Sequence, residues 1–191
     1  MKTPTISRLA EIVAAVLLVG IVGGVVWAFV TPAMSGRVVG DNSAIIPATQ
    51  FDQEFAGVAV FAGIMLVVGV IAAAIGWVRG REWRGPWEFL AIAVASFIGS
   101  ILAMVIGTQV AHWRFGDPHS MPVGSSFQVV PDLWLDGSVS GFGSEIVLLI
   151  CAPMAATLVY LTCALSSRHP DLGVGDLPGT PDPQLVGSSA P

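Results

Sequence analysis

Residues 89–111 read FLAIAVASFIGSILAMVIGTQVA, a stretch without Lys, Arg, Asp or Glu. It is long enough to cross a ~30 Å hydrocarbon layer as an α-helix, which takes ~20 apolar residues. Within it Ala91, Ala95, Gly99, Ala103, Gly107 and Ala111 recur at every fourth position, a ridge of small residues that lets another helix backbone approach closely. Each step of four advances ~40° around a helix, so the ridge winds through ~200° from end to end. One straight partner cannot use all of it. The third run is therefore predicted to be the packing centre and to touch at least two other helices, with Gly20 and Gly24 in the first run and Ala59 and Gly63 in the second as matching surfaces.

Three further runs of the same kind lie near residues 12–30, 55–78 and 146–165, also free of charged side chains. A single Arg at mid-bilayer costs ~2.5–3.5 kcal/mol on insertion scales, so four uncharged runs point to four spans. The predicted fold class is an all-α membrane protein: a four-helix transmembrane bundle with a small extracytoplasmic β element from its two outer loops. The composition agrees, with 54% hydrophobic and 11% charged residues against the ~25% charged residues of soluble domains. The expected organisation is a transmembrane domain over 1–168, with outer loops 31–54 and 112–145, and a disordered tail over 169–191 rich in Pro, Gly, Asp and Ser. The segments outside the spans are too short for a sizeable soluble catalytic domain.

Lys2, Arg8, Arg79, Arg81, Arg84 and Arg168 flank the spans on one side, and only Arg37 and Arg114 lie on the other. By the positive-inside rule both termini and the loop between the second and third spans are predicted to be cytoplasmic, in a multi-pass protein of the plasma membrane. The outer loops then hold Asp41, Asp52, Glu54, Asp117, Asp132, Asp136 and Glu145. An acidic outer face argues against nucleic acid as a partner there.

Helix ends carry their own signals. Glu11, Glu54, Glu88 and Glu145 stand at or near the starts of the four runs, where a carboxylate meets the positive end of a helix dipole. Four acids at four starts read as a structural pattern. Pro86 suits a first helical turn, Pro153 predicts a kink in the fourth helix, and Trp27, Trp77, Trp87 and Trp113 read as interfacial anchors. Cys151 and Cys163, twelve positions apart on one helix, are ~18 Å apart and cannot pair with each other. In the loops, Arg37 to Val39 and Ser43 to Ile46 flank a turn-rich Gly40-Asp41-Asn42, and Phe127 to Val130 and Leu133 to Leu135 supply further extended pieces. These are expected to meet in a small sheet capping the bundle, with 138–144 as a flexible lead into the last helix.

For chemistry, Glu54, His112, Arg114 and Glu145 fall at the same outer level and form a candidate polar cluster at the mouth of the bundle. Dipole compensation and ion pairing at the interface would account for the same residues. His112 is the one histidine near a span, which leaves haem without facing ligands. No metal, nucleotide or hydrolase motif is present. No cofactor and no enzymatic activity are expected.

Val25 to Pro32, Arg81-Glu82-Trp83-Arg84-Gly85-Pro86, Trp113 to Gly116, Ala152 to Tyr160 and Asp171-Leu172-Gly173 stand in an order and spacing that resemble the membrane proteins grouped as domain of unknown function 2567. The resemblance covers all four spans and implies a four-helix protein of an actinobacterium with its outer loops on the cell-wall side. It implies no activity and gives no residue a role. The expected function is that of a non-catalytic accessory or assembly subunit of a cell-envelope or respiratory membrane complex. Its expected partners are the lipid bilayer and another membrane protein or further copies of itself. The rival expectation is a small transporter or lipid-handling protein using the outer-mouth cluster.

Overall fold

The computed structural model describes residues 4–40, 43–45, 51–81, 84–115, 122, 124–130, 133 and 144–167. The elements are α1 (Pro4–Val30), β1 (Met34–Gly40), β2 (Ser43–Ile45), α2 (Phe51–Arg79), α3 (Pro86–Phe115), β3 (Ser126–Val129) and α4 (Ser144–Ser166). All four helices are long and apolar enough to cross a membrane. Each extends beyond the apolar run that predicts it, because helix hydrogen bonding continues past the hydrocarbon boundary while hydropathy does not. Glu11 accordingly sits in the second turn of α1 and not at its start.

The bundle is a ring in which α1 packs on α3 and α2, and α4 packs on α2 and α3. The tightest contact joins α1 to α3. A Cβ built on Gly20 would stand 2.8 Å from the Gly99 carbonyl oxygen, and one on Gly107 would stand 2.9 Å from that of Gly24. A Cβ on Gly24 would strike the Ala103 carbonyl. Gly20 meets Gly99 and Gly24 meets Ala103 and Gly107, so residue numbers rise together along the two helices and α1 and α3 run parallel. Ala95, Gly99, Ala103, Gly107 and Ala111 are buried and Ala91 is half-buried, with α3 seated between α1 and α4. On the other side Gly69 of α2 meets the Ala152 backbone of α4 in the same manner. Gly63 differs from its expected role: nothing lies within 4 Å of its missing side chain, and it opens onto a groove between α1 and α2.

Two apolar clusters fill the interior. One, toward the loop-bearing end, contains Trp27, Phe61, Met65, Met104, Leu133 and Leu148; the other contains Val16, Ala72, Ile92, Ala156 and Tyr160. Trp27 corrects its sequence reading as an interfacial anchor. It is buried to 1% exposure, its Nε1–H donates to the Gly57 carbonyl at 3.0 Å, and its ring meets Phe61 edge-on at 5.7 Å. An indole whose N–H finds a backbone acceptor can enter a core. Trp87 and Trp113 are exposed on the bundle surface, as interfacial indoles are.

The loops on either side of α2 and α3 meet in a three-stranded antiparallel sheet ordered β2-β1-β3. β1 pairs with β2 through Arg37 to Ile45 and Val38 to Ala44, with a register shift before Gly40 pairs Ser43. It pairs with β3 through Met34 to Val129 and Gly36 to Phe127. Alternation sets the faces, with Met34, Gly36 and Phe127 buried and Ser35, Arg37 and Gln128 exposed. Gly36 leaves the space that the Phe127 ring occupies. Val130 and Leu133 continue the sheet into the cluster around Trp27, so the sheet caps the bundle. The Asp41-Asn42 turn, Trp134 to Phe142 and the tail from Arg168 onward lie outside the described residues.

Candidate functional site

Of the four outer-mouth residues, His112 and Arg114 have side chains among the described residues. Arg114 closes the α1 terminus, where a helix leaves carbonyls without partners. Its Nη1 donates to the carbonyls of Ala28 and Phe29 at 3.2 Å each, and its guanidinium lies over Phe29 and Phe115. A cation at a helix C-terminus also suits the dipole. His112 is exposed on α3. Glu54 and Glu145 fall in the first turns of α2 and α4, with side chains outside the described residues.

A buried polar cluster stands at the opposite end of the bundle, where α2 turns into α3. Gly80 closes α2 with a hydrogen bond from its N–H to the Gly76 carbonyl, and Pro86 opens α3 where its missing N–H is no loss. Two residues on, Glu88 points inward and is only 1% exposed. Tyr160 of α4 donates its hydroxyl hydrogen to Glu88 Oε2 at 2.9 Å and accepts from the Gly85 N–H at 3.2 Å. A side chain at Gly80 would occupy the position of Glu88 Oε1; the glycine makes room for the carboxylate. Arg84, four positions before Glu88, is near enough to act on it electrostatically. Its guanidinium lies 4.2 Å from the Trp77 ring centre, and Nη2 donates to the Trp77 carbonyl at 2.8 Å. The Tyr160 ring meets Trp77 edge-on at 5.4 Å and Phe89 at 5.7 Å.

This cluster ties three helices together. A buried carboxylate needs hydrogen bonds and a compensating charge, and Tyr160 and Arg84 supply one of each. Glu88 Oε1 has no hydrogen-bond partner among the described residues. Chemically, a carboxyl beside a phenol can hold a proton or anchor helices. Among the described residues no group of three His, Cys, Asp or Glu could hold a metal ion.

As sequence, Glu88 reads as one of the four dipole-compensating acids, and its pairing with Tyr160 goes unread. The available signals are Arg84 four positions before Glu88, in the turn ahead of α3, and the chain's single tyrosine inside an apolar run. Neither signal brings together two residues 72 positions apart.

A family model described as "Protein of unknown function (DUF2567)" matches residues 16–174. No curated protein and no solved structure matches the chain.

Proposed function

The chain belongs to that family of unknown function, DUF2567, and we propose that it is a non-catalytic accessory or assembly subunit of a cell-envelope or respiratory complex. The observation that supports this reading is the filled interior. Fully buried apolar side chains run from Leu133 beneath the cap, through Trp27, Phe61, Met65 and Met104, to Val16 near the polar cluster. A transporter places substrate and coupling-ion sites near the bilayer midplane, in polar, broken-helix surroundings. Here that level is occupied by Gly-to-backbone contacts and Met and Phe side chains, and its polar groups are the small hydroxyls of Ser96 and Ser100 on α3, of which Ser100 donates to the Ser96 carbonyl. Such a bundle suits a rigid element presented to a partner.

We place the protein in the plasma membrane with both termini cytoplasmic, on the strength of the basic residues near one set of span ends. The β cap then faces outward and is the surface offered to a partner, since a sheet edge can pair with a further strand. Affinity purification in a gentle detergent after crosslinking in intact cells tests the reading. The expected result is one membrane complex recovered with the wild-type chain and lost when residues 34–45 are replaced by a Gly/Ser linker. Recovery of the chain alone, together with ion or solute flux from vesicles reconstituted with it, would overturn the proposal.

A further inference from the structure

Gly63 sits in the middle of α2 with nothing within 4 Å of the side chain it lacks. Glycine weakens a helix relative to alanine, and at Gly20, Gly24 and Gly69 a close backbone explains its presence. At Gly63 no helix contact does. What its small size leaves is an apolar groove of ≈430 Å³ along the seam between α1 and α2, running from Val19 to Val26 on one helix and from Val60 to Ile71 on the other. The groove opens on the lipid-facing side, and Val22, Val67 and Ile71 on its walls are exposed.

Beyond the Ile71 end of the groove, ~12 Å further along α2, a second and separate cavity of ≈280 Å³ is lined by Arg8, Glu11 and Ile12 of α1 and by Arg79 of α2. Arg8 lies beside the start of the α1 span and Arg79 is the last residue of the α2 span, so both stand at the level of lipid headgroups. Two guanidinium groups from facing helices suit a phosphate, which arginine binds through paired N–H donors. Glu11 adds an acceptor, which a phosphate monoester carrying one proton can satisfy with its P–OH.

Depth selects the tail. At ~1.5 Å per residue, Ile71 lies ~12 Å and Val60 ~28 Å from Arg79 along α2. The hydrocarbon layer is ~30 Å thick, so its midplane is ~15 Å from either surface. The groove therefore continues well past the point where the acyl chains of one leaflet end. We propose that the α1–α2 seam binds a polyprenyl phosphate, its phosphate between Arg8 and Arg79 and its isoprenoid tail lying in the groove that Gly63 keeps open. Methyl-branched isoprene units fit a wall of valines, and a tail longer than half the bilayer reaches Val60. The site is separate from the cap and from the Glu88 cluster, and it does not depend on the assembly role.

The test uses the full chain in nanodiscs of zwitterionic lipid, with decaprenyl phosphate, decaprenol and phosphatidylglycerol as probes and native mass spectrometry as the readout. Decaprenyl phosphate is expected to bind at least about tenfold more tightly than decaprenol, the scale of one lost charge-assisted contact. Arg79→Gln should reduce that difference, and Arg8→Gln added to it should remove the difference. A Cβ at Gly63 meets nothing within 4 Å, so Gly63→Leu projects into the open groove; it should keep the fold and weaken decaprenyl phosphate by about tenfold, the scale of a bulky group excluded from an apolar site. Equal binding of decaprenol and its phosphate would overturn the headgroup site. Phosphatidylglycerol binding as tightly as decaprenyl phosphate, or Gly63→Leu binding like wild type, would overturn the assignment of the groove to a long tail.

Discussion

Two glycine-to-alanine changes of identical chemistry should move stability in opposite directions. At Gly24 the new Cβ would strike the Ala103 carbonyl oxygen and stand 2.7 Å from Ala103 Cα. These are backbone atoms of α3, so no side-chain rotation relieves the clash, and α1 must move away. A separation of 0.5–1 Å forfeits about a quarter to a half of the attraction at each affected contact. Overpacking of this kind costs ~1–3 kcal/mol, and the upper half of that range applies where backbone opposes backbone. Alanine returns ~1 kcal/mol of helix propensity at either site. At Gly63 only that gain operates, because the new methyl meets nothing. The two variants should therefore differ by ~2–3 kcal/mol, or ~4–12 °C in midpoint for a chain of this size. Cys151 is buried and unpaired while Cys163 is half-buried, so with Cys163 changed to Ser thermal unfolding in detergent can be followed with a thiol-reactive fluorophore at Cys151. Gly99→Ala supplies a control within the same interface, since its Cβ would sit 3.8 Å from the Gly20 Cα in ordinary contact. A Gly24→Ala protein as stable as Gly63→Ala would refute the close α1–α3 packing.

Tyr160→Phe removes the hydrogen bond to a buried carboxylate and should cost ~1–3 kcal/mol in the same assay. Adding Glu88→Leu to that variant should recover part of the loss, because no buried charge is then left without its donor; a further drop would contradict the assigned pairing. Arg114→Ala withdraws two hydrogen bonds from the end of α1 and is expected to cost ~1–2 kcal/mol at this partly exposed site. Arg114→Lys, with one point charge in place of a fork, should restore less than half. For orientation, cysteines placed at Ser43 and Ser189 are expected to react differently with a membrane-impermeant maleimide in intact cells, with only the first modified. Modification of Ser189→Cys alone would reverse the topology.

The parts legible in the sequence are those governed by one-dimensional rules. Hydrocarbon thickness and the exclusion of charge mark the four helices, and β-branched residues around Gly40-Asp41-Asn42 and at Phe127 to Val130 mark the strands. The spacing of Gly20 with Gly24, and of Gly99 with Ala103 and Gly107, marks surfaces fit for close approach. It does not state which surface meets which, and Gly63 looks the same in sequence as Gly24 while serving an open groove. Trp27 misleads because an indole at the end of an apolar run resembles an interfacial anchor until its N–H is seen to reach the Gly57 carbonyl. The Glu88–Tyr160 pair was hidden for a related reason. Helix ends commonly carry acids, and nothing local distinguishes an acid facing water from one that a distant helix covers.

The pairing of first helix with third and second with fourth has a consequence for biogenesis. When α1 and α2 have left the ribosome, neither close backbone contact can yet exist, and Gly20, Gly24 and Gly69 still face lipid or the insertion machinery. Release of α3 supplies the partner for α1, and the strand that follows it completes the sheet on β1. Release of α4 supplies the partner for α2 and delivers Tyr160 to Glu88. A chain halted before Ser144 would carry a carboxylate at the membrane boundary without the phenol that receives it. That bare acid distinguishes an unfinished protein from a finished one.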